Sequence, residues 1–371
     1  MMSKNNFFLI LCFVLKITSS FAQVDFIPHD EEEEYNLKNW KLNGKVKSVE
    51  ITTYKPRWGT YMMDLNKYKN LSDVPLRDES TYKKYEFDKN GNLIIYSKGE
   101  IMYSAVNTPT YGKLIKDTME LINYKYDNAN RLILIDDGIG IYSKDYTKYE
   151  YDKLGRKIYE TSGSGRGIRL ENKYEYFENK VTEYLRIRQR DSLFHKNSES
   201  IFNSEGDLLD YKKFSTKRIE TPINEELQEH WIYNYYSKKR IVIDCYMYMF
   251  LKNILKHDTL TFDDNKMLVE KINYIGNIRA VKFKYEYGKN NLLSKEWKYI
   301  LWGEDEQKYY SVSDNGWLIN GFHEYKYDEF DSNSNPTKIY WIQTGYNVSE
   351  GKINTQEPIM TEIYKIKYEY Y

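Results

Sequence analysis

The segment YEYDKLGRK at residues 149–157 shows the pattern that decides the fold of this chain. Two tyrosines one residue apart are followed by Asp152, a short polar stretch and Gly155. A pattern that returns about every 25 residues indicates a repeat architecture rather than a single deep core. Related segments are YEFDKNGNL at 85–93, YKYDNANRL at 124–132, SIFNSEGDL at 200–208, LTFDDNKML at 260–268, YEYGKNNLL at 285–293 and YSVSDNGWL at 310–318.

Each repeat is predicted to be a β-hairpin. Residues 281–287 and 364–370 alternate between apolar or aromatic and charged side chains, which is typical of a strand with one buried and one solvated face. Glycine and asparagine tolerate positive φ, so the seventh position of the segment predicts a hairpin turn. The seventh position is Gly91, Asn130, Gly155, Gly206, Asn291 or Gly316. Asp88, Asp127, Asp152 and Asp263 at the fourth position are expected to accept hydrogen bonds from turn N–H groups two residues on.

The predicted fold class is all-β, a long antiparallel meander of about ten hairpin repeats. The repeats occupy residues 81–371, and residues 23–80 form an N-terminal cap with the first strands. Tyrosine supplies 39 of the 371 residues, as expected for half-buried strands. Because so large a twisted sheet cannot stay flat, we expect it to curl into a spiral or a shell-like sheet with the tyrosines inward.

Residues 1–22 are predicted to be a secretory signal peptide. A basic residue precedes the apolar run FFLILCFVL at 7–15, and Ala22 ends a small-x-small cleavage site. The apolar run is too short to span about 30 Å of hydrocarbon, so no membrane span is expected. Removal of Lys4 and Lys16 leaves 53 basic and 55 acidic residues, a net charge of −2, which indicates no nucleic-acid partner. The protein is expected in the periplasm, at the cell surface or outside the cell, and Cys245 is expected to be a buried, unpaired thiol.

The repeat segment resembles the tyrosine-aspartate (YD) repeats of RHS proteins, whose consensus reads Y-x-Y-D-x-x-G-R-L. Tyr149, Tyr151, Asp152, Gly155 and Arg156 match it, and degenerate copies cover most of 85–330. The resemblance implies a secreted bacterial protein built as a β-sheet shell. In that family the shell often encloses a C-terminal toxin. The D-P-x-G core signature of the family is absent, so the resemblance implies the repeat architecture and an extracellular or envelope setting, not toxin delivery.

No motif for a metal, a cofactor or a catalytic centre is found. The five histidines lack zinc-ligand spacing, and the glycines of TSGSGRGIR at 161–169 precede no helix that would bind a phosphate. The run from Asp331 to Asn335 begins like a calcium loop, but Pro336 stands where glycine is required and Ile342 where glutamate is required. The preferred interpretation is therefore an extended turn inside a diverged repeat. We therefore predict no catalytic residues, no metal and no cofactor.

The expected function is that of a non-enzymatic exported protein that presents a binding or scaffold surface to a protein or a glycan. Trp231 and Trp302 are candidate ligand-contacting aromatic residues, and filling of the core is the alternative role for them. Two alternative functions remain. One is a carbohydrate hydrolase with acidic residues gathered inside the curled sheet, and the other is a protective protein related to toxin-encapsulating shells.

Overall fold

The computed structural model describes fourteen stretches of the chain. The predicted signal peptide, most of the predicted cap, Trp302 and Gly316 lie outside them. Within the described stretches the regular structure is antiparallel strand joined by turns, without α-helix, which confirms the predicted all-β class. The described residues are 42–56, 76–103, 114–137, 145–187, 193–215, 226–237, 240–249, 252–265, 267–275, 279–288, 291–301, 317–349, 352–355 and 358–371.

The strands are long and the turns between paired strands are short. The first eleven are β1 (Val46–Pro56), β2 (Leu76–Phe87), β3 (Leu93–Tyr103), β4 (Leu114–Tyr126), β5 (Leu132–Asp137), β6 (Tyr146–Tyr151), β7 (Lys157–Ser164), β8 (Gly167–Phe177), β9 (Lys180–Ile187), β10 (His195–Phe202) and β11 (Leu208–Ser215). They are followed by β12 (Glu226–Ser237), β13 (Arg240–Met249), β14 (Lys252–Phe262), β15 (Leu268–Ile275), β16 (Arg279–Tyr287), β17 (Leu293–Leu301), β18 (Trp317–Phe330), β19 (Pro336–Ser349), β20 (Lys352–Thr355) and β21 (Ile359–Tyr370).

The chain divides into two compact units. The central unit contains Lys125–Asp136 and Gly140–Lys282, and the terminal unit contains Phe26–Tyr124 and Phe283–Tyr371, each with further short pieces. In the central unit each strand from β5 to β15 pairs antiparallel with the next, as the predicted meander requires.

Apolar burial is unevenly spread in the central unit. Phe202, Val242, Ile243, Leu260 and Leu268 are buried in β10–β15. In the described residues of β5–β9, by contrast, no hydrophobic side chain is fully buried, and the buried polar residues there are Ser164, Glu171 and Thr182. The fully buried side chains of β5–β9 are therefore polar, and Glu171 among them is held by hydrogen bonds from Tyr159 and Arg186.

The terminal unit joins the first and last strands of the chain. β1 pairs with β2 on one side and with β21 on the other, and β21 also pairs with β19. The buried side-chain amide of Asn335 adds a second link: it accepts from the backbone N–H of Asn43 at 2.8 Å and donates to the carbonyl of Asn43 at 2.9 Å. The same amide donates to the hydroxyl of Tyr370 at 2.8 Å. The repeat pattern does not mark these partners, because it describes neighbouring hairpins only.

Side-chain burial follows the predicted alternation in β21 but not in every strand. Tyr364 is buried and Lys365 is exposed, as predicted. In β19, however, the consecutive residues Ile339 and Tyr340 are exposed by 0% and 2%, so both faces of that strand are buried. Lys282 in β16, predicted to point to solvent, is only 5% exposed. The expectation of a solvated side chain is wrong at Lys282, and no alternation was predicted for β19. Burial also depends on what packs over the sheet, which a period of two does not encode.

The fourth residue of the repeat shapes the turn. The carboxylate of Asp152 accepts from the backbone N–H of Leu154 at 2.8 Å and from that of Arg156 at 2.9 Å. The side chains of Asp88, Asp127, Asp263, Asn203 and Asp331 make the same two contacts, which confirms the predicted role of the four aspartates. At the seventh position φ is 84° at Gly91, 59° at Asn130, 81° at Gly155, 92° at Gly206 and 57° at Asn291.

A further copy of the turn lies at 328–336, where the sequence is DEFDSNSNP. Ser334 takes the seventh position with a φ of 65°, and Asp331 accepts from the backbone N–H groups of Asn333 and Asn335. The structure thus confirms the extended turn that the sequence predicts here inside a diverged repeat, with serine in place of the usual glycine or asparagine. The run that resembles a calcium loop is therefore a repeat turn.

Replacement of Gly155 by valine tests the turn geometry. A β-branched residue at a φ of 81° is strained, whereas an added Cβ at this position meets no atom closer than 3.8 Å. We therefore expect Gly155→Val to lower the free energy of unfolding by about 1–3 kcal/mol through backbone strain alone. Urea titration measures this change. Gly165→Val and Lys153→Ala are the controls, since a Cβ at Gly165 meets nothing within 4 Å and its φ is not positive. Equal urea midpoints for the three variants would contradict the turn assignment.

Candidate functional site

Tyrosine hydroxyls link one hairpin to the next. The Tyr151 hydroxyl donates to the carbonyl of Leu132 at 2.7 Å, and the Tyr176 hydroxyl donates to the carbonyl of Lys157 at 2.7 Å. In each case the acceptor is the ninth residue of a repeat and the first residue of its returning strand. The same bond joins Tyr235 to Leu208 at 3.0 Å, Tyr327 to Leu293 at 2.7 Å and Tyr368 to Pro336 at 2.9 Å.

These five bonds lie just beyond the end of the backbone hydrogen-bond ladder between the returning strand and the strand that carries the tyrosine. In each returning strand, backbone pairing with the neighbouring strand begins two residues after the carbonyl that the tyrosine binds. The first paired residues are Leu134, Tyr159, Asp210, Lys295 and Lys338. The tyrosine hydroxyl thus extends the contact between hairpins beyond the end of the ladder.

An arginine completes this junction in two repeats. The guanidinium carbon of Arg131 lies 4.8 Å from the ring centroid of Tyr151, and that of Arg156 lies 4.7 Å from the ring centroid of Tyr176. Burial raises the pKa of both tyrosines to about 12, although the arginine charges oppose the shift. Burial also tends to raise the pKa of Asp152, but hydrogen bonds from Arg156 outweigh it and leave that pKa below its usual value.

A row of bonded polar side chains crosses β7–β10 in the central unit, and we call it the polar ladder. The Lys157 ammonium lies 2.8 Å from Oε2 of Glu160. The Tyr174 hydroxyl lies 3.1 Å from Oε2 of Glu160 and 3.3 Å from Oε1 of Glu183, and the Ser198 hydroxyl donates to Oε2 of Glu183 at 2.8 Å. Burial, with the two carboxylates, raises the pKa of Tyr174 strongly. The phenol therefore stays neutral and shares its hydrogen between two anions.

Aromatic rings lie beside the polar ladder, and the side chain of Asn172 next to it has an oxygen without a hydrogen-bond partner in the described part of the chain. The Lys157 ammonium lies 5.4 Å from the ring centroid of Tyr149 and 4.3 Å from that of Tyr174. Asn172 is opposite Glu160 in the register of β7 and β8. Its side-chain oxygen is buried without a hydrogen-bond partner in the described part of the chain. An unsatisfied buried acceptor costs free energy, and this marks the ladder as the candidate functional site.

The opposite face of the same strands carries a separate ion pair. The buried Glu171 carboxylate accepts from the Tyr159 hydroxyl at 2.6 Å and from Nε of Arg186 at 2.9 Å. The Phe194 ring centroid lies 4.4 Å from the Arg186 guanidinium carbon. Because every charge here has a bonded partner, the cluster serves the fold rather than a ligand.

Three histidines pair with carboxylates on neighbouring strands. Nε2 of His230 lies 2.7 Å from Oδ2 of Asp210, and Nδ1 of His257 lies 2.5 Å from Oδ1 of Asp244. In the terminal unit, Nδ1 of His323 lies 3.5 Å from Oε1 of Glu296. Sequence spacing missed these pairs because strand register brings the partners together. In the described residues no three histidine, cysteine or acidic side chains form a metal-binding group.

The predicted aromatic candidates are not brought together by the described residues. Trp231 is half-buried between Tyr211 and Cys245 in the strand register, and its indole N–H donates to Oε2 of Glu229 at 3.1 Å. Trp302 lies outside the described residues, so a ligand-contacting role for either residue stays a prediction. Cys245 is buried as predicted, and burial raises the pKa of its thiol to about 11. The thiol is therefore protonated at neutral pH.

No helix among the described residues is long and apolar enough to cross a membrane. No family model matches the chain, and no curated protein matches it at a significant level.

Three solved structures are similar to parts of the chain at low identity. A porin-like protein from Bacteroides uniformis ATCC 8492 aligns with a TM-score of 0.35 and 10% identity over 88% of this chain and 99% of its own. A porin-like protein from Bacteroides vulgatus ATCC 8482 aligns with a TM-score of 0.29 and 12% identity over 67% of this chain and 98% of its own. A chain of the TcdB2-TccC3-Cdc42 structure aligns with a TM-score of 0.24 and 12% identity over 77% of this chain and 18% of its own. At these TM-scores none of the three supports an assignment of activity.

The raised tyrosine pKa values predict a loss of stability in alkali. Tyr151 and Tyr176 have folded-state pKa values of about 12 against 10.0 in the unfolded chain, so folding favours the neutral phenol. Their contribution to stability is complete below pH 10 and is lost as the pH rises through about 12. At pH 8, replacing both by phenylalanine should cost about 0.5–1.5 kcal/mol for each hydroxyl.

Urea unfolding of the wild type and of the double variant measures this effect at increasing pH. The difference in stability between the two proteins should shrink between pH 10 and pH 12, because only the wild type loses these bonds by ionisation. The exposed Tyr236 provides the control, and Tyr236→Phe should match the wild type throughout. A difference that stays constant with pH would contradict the junction bonds.

Proposed function

We propose that the protein is a non-enzymatic exported protein that binds a glycan through the polar ladder of its central unit. Export rests on the predicted signal peptide and on the resemblance to YD repeats, and periplasmic, surface and extracellular locations all fit it. Curling of the sheet into a spiral or a shell stays part of the proposal, as does a ligand-contacting role for Trp231 and Trp302.

The composition of the ladder carries the proposal. Neutral hydroxyls, carboxylates, an ammonium group and tyrosine rings lie side by side, and these groups match the hydroxyls and the apolar C–H faces of sugar rings. Strands β5–β9 contain no fully buried hydrophobic side chain among their described residues. The face that carries the ladder is therefore not covered by an apolar core in these strands. The buried Asn172 oxygen adds an acceptor that a sugar hydroxyl can satisfy.

A hydrolase is the second candidate, because one contact favours it. Glu160 and Glu183 both lie within hydrogen-bond distance of the Tyr174 hydroxyl, so two carboxylates come close together as in glycosidases. The remaining contacts of these carboxylates favour a binding role. Oε2 of Glu160 is also bonded to Lys157, and Oε2 of Glu183 accepts from Ser198. Hydrolysis requires one carboxyl group to protonate the leaving oxygen and the other to attack or to activate water.

A glycan array and a pull-down from envelope extract test the binding proposal. Tyr174→Phe and Asn172→Ala should weaken glycan binding about tenfold, as expected for the loss of a hydrogen bond in a desolvated site. Tyr236→Phe is the control and should bind as the wild type does. Trp231→Ala and Trp302→Ala measure the contribution of the tryptophans.

The same proteins are assayed with a panel of chromogenic glycosides. We expect no turnover. Turnover that is lost in both Glu160→Gln and Glu183→Gln would establish the hydrolase instead. Failure of every glycan to bind, with capture of a protein in the pull-down, would reject the glycan proposal.

A further inference from the structure

Three aromatic rings form a strip across β17, β18 and β19 in the terminal unit. The ring centroids of Trp297 and Phe322 are 4.8 Å apart, and those of Phe322 and Tyr346 are 6.4 Å apart. Trp297 and Phe322 are opposite each other in the strand register, so their side chains lie on one face of the sheet. All three side chains are half-buried. The rings therefore follow one another from strand to strand at 4.8 and 6.4 Å, close to the strand spacing of about 5 Å and to the length of one sugar ring.

A lysine lies over this aromatic strip. The Lys295 ammonium is 3.9 Å from the ring centroid of Trp297 and 3.6 Å from that of Phe322. Contacts of this kind are attractive but weaker than an ion pair in a desolvated site. The positive charge of Lys295 is thus held in place against two ring faces.

Lys295, like Lys148 and Lys365, lies over an aromatic ring without a described carboxylate at ion-pair distance, whereas other lysines of the sheet form ion pairs. Lys84, Lys173 and Lys338 each lie within 3.2 Å of a carboxylate oxygen. No described carboxylate is within ion-pair distance of Lys295. Glu324 is opposite Lys295 in the strand register, and Glu286 is bonded to the neighbouring Trp297, but both carboxylates have other partners. Glu286 accepts from the Trp297 indole N–H, and Glu324 lies 3.6 Å from Lys326.

The Lys295 ammonium and the aromatic rings together determine which kind of ligand fits the site. An anion alone would pair with the ammonium but would leave the rings unused, and a neutral sugar would stack on the rings but would leave the charge unpaired. A sugar ring that carries a carboxylate uses both, because its C–H face stacks on the indole while its carboxylate accepts from Lys295. The Glu286 carboxylate fixes the indole by its hydrogen bond and therefore preorganises the stacking surface.

We propose that the aromatic strip and Lys295 form a binding site for hexuronate residues of an acidic glycan. This site is distinct from the polar ladder, which lies in the central unit, and it goes beyond the proposed function by naming a second site and the charge of its ligand. The site requires no catalysis and no metal.

Titration with hexuronate trisaccharides tests the site, with tryptophan fluorescence and calorimetry as readouts. The probes are oligomers of galacturonate, mannuronate and glucuronate, with the methyl ester of the galacturonate trisaccharide as a neutral copy of the same ring. At least one acid should bind, and the methyl ester of galacturonate should bind at least tenfold more weakly than the free acid. Lys295→Gln and Trp297→Ala should each weaken binding of the acid at least tenfold, whereas Lys295→Arg should retain it.

Lys298→Gln is the matched control, because Lys298 is an exposed lysine of the same strand, β17, and is opposite Gly321 rather than an aromatic residue. It should bind as the wild type does, and the urea midpoints of all variants should show that they are folded. Equal binding of the acid and its ester, wild-type affinity in Lys295→Gln, or no binding of any of the three acids would each overturn the proposal. Binding of neutral glycans through the polar ladder should persist in Lys295→Gln. Loss of hexuronate binding and loss of neutral-glycan binding can therefore be told apart.

Discussion

The bond from a tyrosine hydroxyl to the first carbonyl of a returning strand is the contact on which the repeat depends. In four of the five repeats an aspartate or asparagine closes the turn from within by binding two backbone N–H groups, and Gly288 takes that position in the fifth, so the hairpin end is fixed locally. The backbone ladder to the next strand starts two residues later, and the hydroxyl joins the two hairpins across that gap. Each such bond contributes only about 0.5–1.5 kcal/mol, but five separate junctions add nearly independently.

This arrangement explains how strands with little apolar core remain ordered. Between β5 and β9 the buried positions are polar, and Glu171 is stabilised by Tyr159 and Arg186 rather than by apolar neighbours. From β10 to β15 side chains such as Val242 and Leu260 provide an apolar core. The polar half of the central unit is therefore free to carry hydrogen-bonding groups in fixed positions, which is the property that a binding surface requires.

The sequence predicts the local structure well and the contacts between hairpins poorly. Strand alternation, the turn residues and the role of Asp152 follow from the period and from the φ preferences of glycine and asparagine. The acceptor of the Tyr176 hydroxyl is a backbone carbonyl, which any residue supplies, so no residue type reveals the bond. At Ser334 the sequence predicts an extended turn in a diverged repeat, and the structure shows that the Asp331 carboxylate, rather than the seventh residue, secures it.

Contacts that depend on the register of several strands could not be predicted from the sequence either. The pairing of β1 with β21 joins segments more than three hundred residues apart, and nothing in a single repeat marks them as partners. The approach of Glu160 and Glu183 to one tyrosine, and of Lys295 to two rings, results from which residues stand opposite each other. A shift by one residue would move each side chain to the other face. The sequence contains these acidic and aromatic residues among many others of the same type, and it does not show which of them come together.

Native-state hydrogen exchange of Tyr176→Phe, followed by mass spectrometry of peptides, tests the coupling of the hairpins most directly. If the hydroxyl joins neighbouring repeats, amide exchange should accelerate in β7, which supplies the carbonyl, as well as in β8, which supplies the tyrosine. Residues 240–262, which are remote in the strand order, should exchange as in the wild type. Faster exchange confined to β8, or no change in either strand, would contradict the account.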